Sequence, residues 1–215
     1  RKELAEDWDT DFAYAIENVA RFRGNCFRDR NGPGAVFRQI PFEIVAVEKL
    51  GLPAKVLDLC WLTKGMVLIT GPTGSGKSTT LAALVKYITG RRPVHIVTIE
   101  DPVEFLFTDK VASISQREVG TDTPSFPEAL RNVMRQDPDV IMVGEMRDLE
   151  TMQTAITAAE TGHLVFSTLH TNNAAQTIDR IMDSCPNGQQ NQVRRQVALV
   201  LRAICSMQLI ERIDG

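Results

Sequence analysis

Residues 71–78 read Gly-Pro-Thr-Gly-Ser-Gly-Lys-Ser, a spacing of glycines, one cation and one hydroxyl that can grip phosphate. Gly71, Gly76, Lys77 and Ser78 satisfy the fixed positions of G-x-x-x-x-G-K-[ST]. The glycines let the backbone curl so that successive N–H groups turn towards phosphate oxygens. A helix beginning at this point adds its positive end and its unpaired N–H groups. Gly71, Pro72, Thr73, Gly74, Ser75, Gly76, Lys77, Ser78 and Thr79 are therefore the expected nucleotide-phosphate site. In it, Lys77 reaches the β- and γ-phosphates of ATP and the Ser78 hydroxyl ligates Mg²⁺. The apolar run Met66–Ile69 ahead of the pattern reads as a buried strand, and Thr79–Val85 behind it as a packed helix. An ordinary glycine-rich turn rarely carries the full pattern with both flanks.

Acids complete the chemistry that such a loop begins. Glu145 follows Gly144 at the end of the all-apolar run Val140–Val143. In a P-loop protein, a carboxylate there faces Mg²⁺ and the attacking water, and it can accept the water's proton. A solvated strand-end acid is the bland alternative. A second group, Glu100, Asp101 and Glu104, closes the strand expected at Val94–Ile99. Ligand sites of α/β sheets gather at the carboxyl ends of strands. Glu104, aimed by the turn at Pro102, is the better candidate to hold Mg²⁺ through water. His163 and His170 flank the strand expected at Leu164–Leu169 and so stand at its opposite ends, which argues against one shared zinc site. His170, at the carboxyl end, can approach the γ-phosphate. Either histidine taken alone reads more readily as structural, and so does His95.

The elements that must position these groups follow from the rest of the chain. Its 215 residues are 43% hydrophobic and 24% charged, the profile of a soluble globular protein, with a formal net charge of −3. That balance gives no basic field for nucleic acid or anionic lipid. Cys26, Cys60, Cys185 and Cys205 form no C-x-x-C pair, so reduced thiols in a cytosolic protein are expected. No run of 18 apolar residues exists, so any membrane contact is expected to run through a partner. Alternation predicts three antiparallel strands at Asp11–Ile16, Ala20–Phe27 and Ala35–Ile40, with a turn cluster over Asp29–Gly34. Three strands make a poor core, and the chain starts at Arg1, so a piece of a longer protein is expected. Pro41–Pro53 reads as a linker with a short helix. Residues 54–215 then alternate helix and strand. Ser125 with Glu128 caps a helix, and Leu149–Glu160 reads as another.

Four ordered blocks carry a close resemblance to the PilT-type secretion ATPases, the retraction motors of bacterial type IV pili. They are Gly71–Ser78, the acidic segment Thr98–Phe105, the segment Asp137–Asp148, and Glu160–His163 through His170-Thr171. Gln116–Gly120 also fits. The resemblance implies a RecA-like P-loop ATPase domain with a mostly parallel sheet at 54–215. Part of a smaller α+β, PAS-like domain at 1–40 precedes it, joined by a linker at 41–53. It implies a cytoplasmic homohexamer, peripheral to the inner membrane, that hydrolyses ATP and works on a pilus platform protein without binding nucleic acid. Glu145 is then the catalytic base. Glu104 holds Mg²⁺ or positions water, His163 and His170 sense the nucleotide, and Arg23 and Arg38 close over the phosphates from the N-terminal sheet. Against that pattern the N-terminal sheet is incomplete, and Gly215 precedes the C-terminal helices needed for retraction. No tetracysteine motif of the assembly-type relatives is present, which favours the retraction branch. Three alternatives stand beside the motor: a nucleotide-gated scaffold with weak hydrolysis, an assembly or type II secretion ATPase, and a helicase-like translocase, which the acidic charge disfavours.

Overall fold

Strand alternation in the first forty residues produces a small antiparallel sheet of β1 (Asp9–Ile16), β2 (Ala20–Asp29) and β3 (Gly32–Ile40), in the order β1-β2-β3. The computed structural model describes residues 9–16, 20–40, 43–186 and 188–211. The hairpin between β2 and β3 is tighter than the sequence implies. Asp29 pairs with Gly32, so only Arg30 and Asn31 form the loop. The Asp29 carboxylate accepts the Asn31 N–H at 2.7 Å to hold it. Gly34 stays in the strand because the Phe27 ring of β2 lies where its side chain would stand.

The segment from Glu43 to Leu62 packs against the helix that begins at Lys77. It carries a 3₁₀ turn at Val47–Lys49, the four-residue α1 (Lys55–Asp58) and a 3₁₀ turn at Leu59–Trp61. Ile44, Val47 and Cys60 are buried in it. Lys86 donates to the Ile44 carbonyl at 2.6 Å, and Arg92 donates to the carbonyls of Cys60 and Leu62 at 2.6 and 3.0 Å.

The remaining strands are β4 (Gly65–Thr70), β5 (His95–Glu100), β6 (Ser113–Glu118), β7 (Val140–Val143), β8 (Leu164–Leu169) and β9 (Leu201–Ser206). They form one sheet in the order β6-β5-β7-β8-β4-β9, and every pair is parallel. Parallel strands need crossovers. Helices supply four of the five, α2 (Lys77–Thr89), α3 (Phe126–Val133), α4 (Leu149–Glu160), and α5 (Ala174–Asp183) with α6 (Gln190–Val200), while residues 101–112 join β5 to β6 without a helix. Side-chain alternation divides the core in two. Met66 and Leu68 of β4 face the layer of α3, α4, α5 and α6, whereas Val67 and Ile69 face α2. The side chains of Ser125, Asp148 and Asn173 accept backbone N–H bonds at the starts of α3, α4 and α5. Among the described residues no helix is long and apolar enough to cross a membrane.

Candidate active site

The carboxyl ends of β4, β5, β7 and β8 share one edge of the sheet, so everything that leaves those ends converges. After β4 the chain makes its glycine loop with Gly71 at φ 147° and Gly76 at φ 92°, conformations that favour glycine. A side chain at Gly71 would also overlap the Met207 carbonyl. Lys77, the first residue of α2, bends back over this loop. Its Nζ donates to the carbonyls of Gly71 and Pro72, both at 2.9 Å. Burial lowers the Lys77 pKa below its ordinary value, and the charge of Glu145 opposes that shift. A phosphate arriving at the loop offers this ammonium a stronger, charged partner than the two carbonyls. Ser78 is exposed in the same first turn, with Thr79 half-buried beside it.

A cleft of about 420 Å³ opens here, between the glycine loop and the N-terminal sheet. Thr73, Gly74, Gly76, Lys77, Ser78 and Thr79 line its floor. Glu104, Glu145 and His170 line one wall, and Arg23 and Arg38 stand on the N-terminal side. Gly71 and Ser75 are buried beneath the loop, and Pro72 lies on its outer surface.

Arg23 and Arg38 are direct cross-strand partners of β2 and β3. Like charges placed opposite each other repel. Two guanidinium groups held side by side at a phosphate loop are an arrangement that an anion relieves, because guanidinium binds phosphate oxygens in a fixed fork.

The Gly144-Glu145 turn is pinned from both sides. Gly144 N–H donates to the Ile99 carbonyl at 2.8 Å, and the Thr168 hydroxyl donates to the Gly144 carbonyl at 2.7 Å. The Glu145 side chain is only 15% exposed. It is ion-paired with Arg147, and His170 Nε2 lies 3.5 Å from its other oxygen. Arg147 also lies 3.8 Å from Asp101 and lines the cleft. The hydrogen bond to Glu145 chiefly raises its pKa.

Glu100 and Glu104 divide their work by burial. Burial pushes the Glu100 carboxyl up to about 7, against hydrogen bonds from Thr98 and Gln116 that lower it. Those bonds are 2.7 and 3.2 Å long. Glu104, half-buried, opens directly to the cleft. His163 is not brought there. It precedes β8 at the opposite edge, a strand length of roughly 20 Å away. Its Nδ1 lies 2.8 Å from the Ala158 carbonyl and 3.2 Å from the Thr161 hydroxyl, at the end of α4. The expectation of His163 as a sensor beside the nucleotide is therefore corrected within this subunit.

Arg147 lies in the Asp137–Asp148 block, in which the sequence reading assigns it no separate role. Its position two residues after Glu145 is the signal the sequence offers.

A family model described as type II/IV secretion system protein matches residues 10–214. The chain belongs to this family. It is 50% identical over its whole length to the type IV pilus retraction ATPase PilT of Pseudomonas aeruginosa and covers 62% of that protein. It is 51% identical, again over its whole length, to a twitching motility protein of Neisseria gonorrhoeae and covers 58% of it. A crystal structure of the pilus retraction motor PilT with bound ADP matches all of this chain at TM-score 0.96 and 53% identity, over 63% of that chain. The chain thus spans about three-fifths of the length of these relatives. The parallel sheet is that of a RecA-like ATPase domain, as the resemblance implied.

Proposed function

We propose that this chain is the nucleotide-hydrolysing part of a homohexameric motor ATPase that powers type IV pilus retraction. The observation that carries the reading is one cleft in which the glycine loop, Glu104 and Glu145 face the paired Arg23 and Arg38. The likeness to named retraction and twitching proteins over the whole chain supports the biological half.

In this reading the loop N–H groups and Lys77 hold the β- and γ-phosphates of ATP. Mg²⁺ bound with the nucleotide supplies positive charge at the phosphate oxygens. The Ser78 hydroxyl and the Glu104 and Glu145 carboxylates are hard oxygen donors that suit it. Glu145 orients the attacking water and accepts its proton, after its ion pair with Arg147 opens. Arg23 and Arg38 draw onto the phosphates and stabilise the charge that builds in the transition state. Hydrolysis and phosphate loss release them, and the N-terminal sheet swings back through the linker at 41–53. Repeated around a ring, that closure becomes displacement of an inner-membrane platform protein. The protein works in the cytoplasm, peripheral to the membrane through that partner.

The test is made in the host cell with the full-length protein. Replacing it by the Lys77→Ala or Glu145→Gln variant is expected to abolish twitching motility while pili persist on the surface. Twitching that continues unchanged with both variants overturns the motor reading.

A further inference from the structure

The block Gln116–Gly120 belongs to the sequence pattern, yet the hydrolysis scheme above gives it no task. Its strand, β6, is the edge of the sheet beside β5. Alternation puts Gln116 and Glu118 on one face of it. That face looks towards residues 101–107, which carry Glu104 and form no helix or strand of their own.

The contacts are specific. The Gln116 side-chain oxygen accepts the Phe107 N–H at 2.8 Å. Its amide nitrogen donates to the Phe105 carbonyl at 2.8 Å and to the Glu100 carboxyl at 3.2 Å. Both donors and an acceptor of one amide are thereby used. The Glu118 carboxylate accepts the Val103 N–H at 2.9 Å and the Thr121 hydroxyl at 3.2 Å. The backbone is thus held immediately before Glu104, at Val103, and immediately after it, at Phe105. Glu118 also lies 3.7 Å from Arg21, with both side chains mostly buried. Arg21 stands two residues before Arg23, on the same face of β2. The loop that presents Glu104 is therefore joined to the strand that presents Arg23.

We propose that Gln116 and Glu118 are positioning residues for ATP turnover: they clamp the backbone on either side of Glu104 and so set where its carboxylate stands in the cleft. The catalytic half rests on the role given to Glu104 above. The clamp itself does not.

The experiment uses the full-length protein as wild type, Gln116→Ala, Glu104→Gln and the double variant. Backbone hydrogen exchange without nucleotide reads the clamp, and steady-state ATP hydrolysis reads its use. In Gln116→Ala the Phe107 amide and its neighbours are expected to exchange faster. Its kcat is expected to fall about tenfold or more, as small misplacements of catalytic groups do. KM for ATP stays within about twofold, because the glycine loop is untouched. The double variant is expected to be no slower than Glu104→Gln alone. Unchanged exchange overturns the clamp. Losses that multiply in the double variant, or a raised KM at constant kcat, overturn action through Glu104. If Gln116→Ala does not fold, Glu118→Ala, which frees only the Val103 N–H among the loop amides, is read in the same way. A Glu104→Gln protein as fast as wild type overturns the role of Glu104, and with it the catalytic half; exchange still decides whether the clamp exists.

Discussion

In the proposed reading nucleotide binding turns on Lys77, a buried cation of the cleft floor held by carbonyls that a phosphate can replace. Lys77→Ala is expected to weaken ATP binding by at least about a hundredfold, the scale of losing a buried charge-assisted contact. Titration calorimetry checks this, and affinity within a few-fold of wild type contradicts it. Glu100 gives a pH signature. Its carboxyl rises from 4.5 to about 7 in the folded protein, so folding favours its protonated form. Below 4.5 the group costs nothing, because it is protonated folded and unfolded alike. As pH climbs through that window the folded state pays a growing penalty, on the order of 3 kcal/mol once both states are ionised. Glu100→Gln keeps an acceptor for Thr98 and a partner for Gln116 without the charge. It is expected to be more stable than wild type at about pH 8 and equal to it near pH 4. Urea unfolding at the two pH values decides, and parallel behaviour contradicts the burial argument.

Elements carry these residues to the cleft through a few local devices. Asp148 caps α4 by accepting both the Thr151 N–H at 2.8 Å and its hydroxyl at 2.6 Å. Asp148→Ala is expected to cost about 1 kcal/mol in chemical denaturation, and more than 3 or less than a few tenths would contradict a cap. The elements with strong local signals were legible in the sequence. The apolar runs of β4, β7 and β8 and the boundaries of α4 stand where periodicity puts them. Four elements were not. β6 reads Ser-Ile-Ser-Gln-Arg-Glu, too polar for a buried strand, because it is an edge whose face is covered by the loop it clamps. α5 and α6 lie in a polar stretch whose pattern packing against α4 and β4 resolves, and β9 follows α6 directly, with no turn signal between them. In the site, the glycine loop and Glu145 were legible because their spacing is local. Arg23 and Arg38 were reached through resemblance alone, and their pairing was not legible, since a register between strands is not written in either one. The sensor role of His163 came from the resemblance, whereas its place before β8, at the opposite end from His170, was already legible in the sequence.

At the scale of the whole molecule the two halves of the cleft are joined by the chain's path and by contacts such as Arg21–Glu118. In the proposed reading Arg23 and Arg38, which line the cleft as cross-strand partners, serve closure rather than folding. Arg23→Ala and Arg38→Ala are each expected to lower kcat tenfold or more, as loss of a transition-state charge partner does. Each should leave stability unchanged or raise it by a few tenths of a kcal/mol, because a like-charge pair is relieved. Parallel turnover and thermal-melt measurements separate these outcomes, and a variant that melts early with normal turnover contradicts the assignment.

In the proposed reading this cleft hydrolyses ATP through Glu145 within a ring. The measurement that tests it most directly is ATP turnover of the full-length protein beside Glu145→Gln and Lys77→Ala, with oligomer mass recorded in the same samples. The expected result is turnover by a hexameric wild type, a Glu145→Gln hexamer that binds ATP without hydrolysing it, and a Lys77→Ala protein that does not bind. A wild type that binds ATP tightly yet turns it over no faster than Glu145→Gln contradicts the claim and makes the molecule a nucleotide-gated scaffold.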